Sequence, residues 1–319
     1  MVVIRIRPWL HASLALGLLA ARAAQADPMA FVPNEKSGTL SIIDTATDKV
    51  AGEIDVGTKP RGLAVTRDGK FLYVSDQRAD ALHLVDVAAR SVVLDIEVGP
   101  SPEGVSISRD GRWVAAALEE ATAVALVDTQ TRKLAATIPV NGKNPEHAVF
   151  SPDGKWLYVS AEEGTSVDVI DVGARKAVFS VQVGQRPRGI AFTPDGKLAY
   201  VACENDTTLF AVDVVGHRPL TSLKVGVGIG GVTMHPDGKR VFVADGKGGA
   251  VLAVDTATNK VIATVEVGKR PWNMAITPDG RKLYVANGRS NSVSVIDAAT
   301  FKKVADIPVG ELPWGVAIP

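Results

Sequence analysis

Cysteine is almost missing from this chain: Cys203 is the single thiol in 319 residues. No intrachain disulfide can form, and Cys203 reads as a small filler at a strand end. No C-x-x-C-H occurs, which excludes covalent attachment of a c-type haem. Net charge is missing too, since 35 Lys and Arg balance 35 Asp and Glu. A neutral total gives no sign of the basic face that a nucleic-acid footprint needs. Beyond the N-terminus no run is long and apolar enough to cross a bilayer. No stretch keeps a helical period, which excludes the helix as the building unit.

The one long apolar run, residues 10–21, is itself too short to span a membrane. Arg5 and Arg7 precede it, and Ala24-Gln25-Ala26 follows as an A-x-A cleavage site. Residues 1–26 therefore read as a secretory signal peptide. Taking Arg5, Arg7 and Arg22 from the 35 basic residues leaves 32 against 35 acidic, so the remainder is near neutral. No cysteine stands near the cleavage site to take a lipid. The expected location is the periplasm, as a soluble protein that does not span the membrane.

What fills the rest of the chain is one unit, repeated. Asp-Gly recurs at Asp68, Asp110, Asp153, Asp195, Asp237 and Asp279. A Val/Ile-Asp step ends at Asp44, Asp86, Asp128, Asp171, Asp213, Asp255 and Asp297. The period is 42 residues, once 43, with the extra residue near Asn141. In the last copy, residues 272–277, 281–286, 292–297 and 303–308 alternate as β-strands, here A to D. Asp-Gly reads as the A–B hairpin, because glycine accepts positive φ. The Asp closing strand C, present in every copy, reads as a cap on the backbone of the next turn. Four antiparallel strands at this period predict an all-β fold, a β-propeller.

The ends give the blade count. Residues 311–319 match strand A alone, and residues 31–57 match strands B to D alone. Joined, they make a seventh blade, and closure removes two free sheet edges. A single seven-bladed propeller is expected over residues 27–319. Its repeats are 31–57 plus 311–319, 58–99, 100–142, 143–184, 185–226, 227–268 and 269–310.

In such a blade the D–A and B–C loops open on one face, around the mouth of the central channel. Alignment of the D–A loops gives a ring of Arg61, Glu103, Glu146, Arg188, Gly230, Trp272 and Trp314. The next position is glycine except at His147 and Asn273. Positions that break their own repeat are where function is sought. The B–C loops add Asp76 and Asp245 in a wider ring. Two Trp can stack on a planar ligand, and two Arg can pair with carboxylates. The same residues also read as structural, with Arg61 and Arg188 paired to Glu103 and Glu146 and the Trp plugging the channel. His147 beside Glu146 is the acid/base candidate. His83, His147, His217 and His235 fall on strand C, the mouth, strand D and strand A, too dispersed for zinc. No catalytic residue and no metal site is assigned.

Tyr-Val-Ser-Asp at Tyr73, Tyr-Val-Ala-Cys at Tyr200 and Tyr-Val-Ala-Asn at Tyr284 resemble the YVTN-type propeller repeat. So does the run from Pro187 to Lys197. The resemblance covers the chain from about Phe31 to Pro319. A signal peptide, seven repeats and no appended domain together resemble the propeller proteins associated with PQQ-dependent alcohol catabolism. That resemblance implies a periplasmic, non-catalytic accessory factor that binds a protein or a ligand. Its implied partner is a quinoprotein dehydrogenase or an ABC transporter component. No bound cofactor is expected; PQQ, a planar tricarboxylate, enters by this association. Two alternatives stay open: a carrier or sensor of PQQ or another carboxylate at the channel mouth, and a lactonase-type hydrolase.

Overall fold

The computed structural model describes residues 28–319, so the signal peptide assigned to residues 1–26 lies outside the described residues. The described chain forms seven antiparallel sheets, six of four strands and one of three. Blade 1 is the three-stranded sheet, Met29–Asn34, Thr39–Asp44 and Lys49–Asp55. Its fourth strand comes from the other terminus. Bridges join Phe31 to Ala317 and Asn34 to Pro313, and Trp314 donates its backbone N–H to the Pro33 carbonyl at 3.0 Å. The protein is thus a closed seven-bladed all-β propeller.

Alternation sends the two side-chain rows of an inner strand to opposite neighbours, Leu72 and Val74 into one cluster between blades and Tyr73 into the next, and seven such clusters form the core. The closing cluster joins Ala30, Val32 and Ile43 to Tyr284, Val293 and Val316. In the last blade the strands are Pro271–Ile276, Lys282–Asn287, Ser292–Asp297 and Lys302–Pro308, within one residue of expectation at each end. Cys203 is a buried filler, its thiol pushed up to about 12 by burial.

The underside is set by a repeated hairpin. Thr193 Oγ1 donates to Asp195 Oδ1 at 2.7 Å and accepts the N–H of Leu198 at 3.1 Å, while Gly196 takes φ of +69°. Thr66, Ser108, Ser151 and Thr277 repeat this arrangement. His235 replaces the hydroxyl and is held by the Gly280 carbonyl at 3.0 Å and by Asp237 at 2.7 Å. The column of Asp ending strand C caps the following turn, as Asp297 does for the N–H groups of Ala299 and Thr300. One placement differs from expectation. His217 lies in the C–D turn with φ of +48°, just before the strand Arg218–Lys224, and packs on Phe179 and Trp156.

Candidate functional site

Each ring residue follows a proline near the start of strand A, except Gly230, which follows Ile229. In the six complete blades the A–B register shifts at that point, as between Pro60 and Leu63 and between Pro145 and His147. Such a bulge re-aims the extra residue. Here it sends the ring to the channel mouth: Arg61, Glu103, Glu146, Arg188, Trp272 and Trp314 wall one cavity of about 200 Å³. Arg186 and Arg270, on the residue before the proline, wall it as well. Alignment on the residue after proline passed over these two. Both sit at φ of +56°, as Ser101, Asn144 and Leu312 do near that value in the equivalent loops, a backbone uncommon for a non-glycine residue that spacing in the sequence does not reveal.

Two chains of charge cross the mouth. On one side Arg61 bonds Glu35 at 3.1 Å and pairs with Glu103, which also accepts from Gln77. On the other Arg188 holds Glu146 at 2.7 Å, Glu162, and Glu204 at 3.4 Å. Arg186 reaches Glu162 at 2.7 Å and Glu204 at 3.0 Å. Arg270 reaches Glu204 at 3.3 Å. The Arg–Glu pairing is therefore present, with more carboxylates than cations.

That excess shows in the protonation equilibria. Burial pushes Glu146 up to about 7, against the pull of Arg188 and with Glu162 and Glu204 adding to the rise. Burial also raises Glu103 well above the carboxylate range, opposed by Arg61 and reinforced by Glu146. His147 is held down to about 3 by burial and by Arg188, so it is neutral. Its ring stacks on Trp314 at 5.4 Å and its Nδ1 lies 3.7 Å from Glu146. Buried polar groups ordinarily find partners. Here Glu146 Oε2, His147 Nδ1 and Trp272 Nε1 are buried and have none.

The remaining candidates stand elsewhere. His147 and Asn273 sit in the throat rather than on the cavity wall, and the Asn273 amide approaches the Trp314 carbonyl at 3.5 Å. Asp76 and Asp245 do not reach the cavity. Asp76 accepts the N–H groups of Thr58, Lys59 and Arg78 and contacts His83 at 3.4 Å. Asp245 accepts those of Val227 and Gly248. Both carboxylates tie the B–C loop to the D–A loop, because those loop amides have no strand to pair with. Their expected place at the mouth is thus corrected. The two Trp present one usable face fewer than expected, since His147 covers one side of Trp314. A wider cavity of about 730 Å³ opens at the closing seam on the underside. Its Asp68, Asp279 and Lys282 already bond hairpin partners, so the polarity there is structural.

Comparison with known proteins matches two family models, Cytochrome D1 heme domain at residues 25–149 and 117–225, and Lactonase, 7-bladed beta-propeller at residues 172–303. No curated protein matches the chain in sequence. Among solved structures, hydrazine synthase of Kuenenia stuttgartiensis is similar at 26% identity and TM-score 0.78, over 84% of this chain and 92% of that one. The periplasmic gluconolactonase PpgL of Pseudomonas aeruginosa is similar at 20% identity and TM-score 0.76, over 91% and 98%. The dihydro-heme d1 dehydrogenase NirN, in complex with DHE, is similar at 17% and TM-score 0.70, over 92% and 76%. The last two likenesses show the fold alone. The heme-domain model runs in overlapping pieces from residue 25 to residue 225, well over half of the sequence, and the chain belongs to that family of β-propellers.

Proposed function

We propose that the protein is a periplasmic ligand-binding accessory factor that takes a small planar carboxylate at the channel mouth. The observation that carries this reading is the Arg188 cluster. A buried guanidinium faces three carboxylates, one of which, Glu146, keeps an oxygen buried without a partner. Removal of one carboxylate charge would leave Arg188 free to make a bidentate bond to an incoming acid. Glu146, at about 7, is the group poised to lose its charge by taking up a proton. It can then donate to the ligand, while Trp272 and Trp314 wall the space beside it.

The family match raises the question of a tetrapyrrole. The mouth does not fit one. A cavity of about 200 Å³ falls below even the ~300 Å³ lower bound for drug-sized ligands. The one histidine beside it lies stacked under Trp314, where it is not presented as an axial ligand. Only the carboxylate edge of a smaller planar acid would enter it, the rest of the ring lying in the open mouth, and the resemblance to propellers of PQQ-dependent catabolism makes PQQ the first probe. Thermal unfolding with PQQ tests the reading. Ligand at 100 times Kd stabilises by about 2.7 kcal/mol, so Tm should rise in the wild type and stay fixed in Arg188→Ala. No rise at millimolar PQQ would contradict it.

A second reading is favoured by Glu146 and by the lactonase match over residues 172–303. A carboxylate near 7 suits proton transfer at neutral pH. In lactone hydrolysis Glu146 would take a proton from water as its oxygen bonds to the carbonyl carbon. The ring C–O bond then breaks, and the alkoxide recovers the proton from Glu146. The product is a hydroxy acid, the chemical class Arg188 recognises. Hydrolysis of glucono-δ-lactone above its spontaneous rate, lost in Glu146→Gln, supports this reading; a wild-type rate equal to buffer removes it.

A further inference from the structure

The face that carries the mouth is divided by charge. In blades 3 to 5 (residues 102–139, 143–182 and 187–224), the B–C loops and the ends of strand B hold Glu119, Glu120, Glu162, Glu163, Glu204 and Asp206 and no Lys or Arg; of these, Glu162 and Glu204 are paired with Arg186 and Arg188. The corresponding loops of blades 6 and 7 hold Lys247 and Arg289 and no acid, and the loop joining those blades adds Lys269 and Arg270. These four cations wall one open groove of about 610 Å³, with Glu266 as the one carboxylate on its wall. At the mouth every Arg is ion-paired. In the groove, Lys247, Lys269 and Arg289 lie on exposed loops and make no ion pair among the described residues.

The groove is also shaped by missing side chains. Gly246, Gly248, Gly249 and Gly268 form much of its wall. A Cβ on Gly228 would lie 2.5 Å from Cγ of Lys247, and one on Gly246 would lie 3.5 Å from Cδ of Arg270. The stems of these cations are therefore laid flat on glycine backbone. A tight site for one small anion would call for buried, convergent donors. Exposed heads on an open, glycine-walled rim suit a longer chain carrying several charges.

We infer that the rim of blades 6 and 7 is a docking surface for an acidic segment of a partner protein. Lys247, Lys269 and Arg289 supply the attraction, and the acidic arc of blades 3 to 5 fixes the orientation. Charge of this kind governs encounter rate and register, and it is screened by salt. The surface lies beside the mouth but does not depend on the ligand proposed there.

The test uses the full mature chain and a fluorescein-labelled ten-residue glutamate peptide. Binding by anisotropy should be saturable and should weaken at least tenfold between 20 and 200 mM salt. The variant Lys247→Glu/Lys269→Glu/Arg289→Glu should weaken it at least tenfold at low salt. A matching reversal on the underside, Lys70→Glu/Lys197→Glu/Lys239→Glu, should not. Carbodiimide cross-links from the peptide should map by mass spectrometry to Lys247 and Lys269. Cross-links spread over other lysines, or equal loss with the underside variant, would overturn the proposal. So would equal affinity for a dT10 oligonucleotide, which would mark a general polyanion surface. A salt-sensitive dimer in sedimentation that blocks the peptide would reassign the groove to a second copy of this chain.

Discussion

The underside and the mouth of this propeller are made by the same repeat and are opposites in physical character. Beneath, one hairpin recurs with its hydroxyl, carboxylate and amide groups mutually bonded. At the mouth the ring reads Arg, Glu, Glu, Arg, Gly, Trp, Trp. There the carboxylates outnumber the guanidinium groups, and three buried polar atoms have no partner. The underside holds its blades in register and needs nothing further. The mouth carries buried charge that folding alone does not require, since apolar residues of the same volume are often as stable or more so. The proposed binding role would account for that charge.

The largest effect expected is on the structure common to both faces. Deleting residues 313–319 removes Trp314 from the mouth and the closing strand from blade 1. Unfolding should cost more than about 4 kcal/mol less, or lose cooperativity, as measured by urea denaturation. A truncated chain as stable as the full one would mean the ring does not depend on closure. Next is Arg188→Ala, which strands Glu146 in a buried site. A loss of about 3–5 kcal/mol is expected, together with loss of ligand binding. Arg188→Lys should recover stability before it recovers binding, because a lysine cannot make the bidentate bond.

Glu146→Gln separates the faces by pH. In the folded protein Glu146 sits near 7, above its ordinary value. Its contribution to stability is therefore complete below about 4.5 and is lost as pH rises through 7. From pH 5 to pH 8 the wild type should lose on the order of 2 kcal/mol relative to the glutamine variant. Parallel pH profiles would show that Glu146 does not titrate in this range. The smallest effect belongs to the underside. Thr193→Val removes a hairpin hydroxyl and should cost about 1 kcal/mol. Ligand affinity should not change; if it does, the two faces are coupled and the contrast fails.

Most of the fold was legible because a strand period and a fixed spacing are written into the sequence seven times over, and a turn dipeptide six times. The ring at the mouth was legible for the same reason: once the proline was aligned, Arg61, Glu103, Glu146, Arg188, Trp272 and Trp314 had to meet. The errors came from residues whose backbone, rather than their type, decides their place. Arg186 and Arg270 reach the mouth through a left-handed loop conformation that sequence spacing does not display. Asp76 and Asp245 were expected in the wider ring around the mouth, but loop amides left without a strand partner claim both. His217 was put on a strand although it occupies the turn before it. Protonation was not legible at all. It depends on which carboxylates are buried together: Glu162, on the next strand, and Glu204, in the next blade, both raise Glu146.

The central claim is that the mouth takes a carboxylate and a proton together. Isothermal titration of PQQ into the protein at pH 6 and at pH 8 tests it most directly. The account predicts saturable binding at pH 6, at least tenfold weaker binding at pH 8, and no pH difference in Glu146→Gln. Equal affinity at the two pH values, or binding that survives Arg188→Ala unchanged, would contradict it.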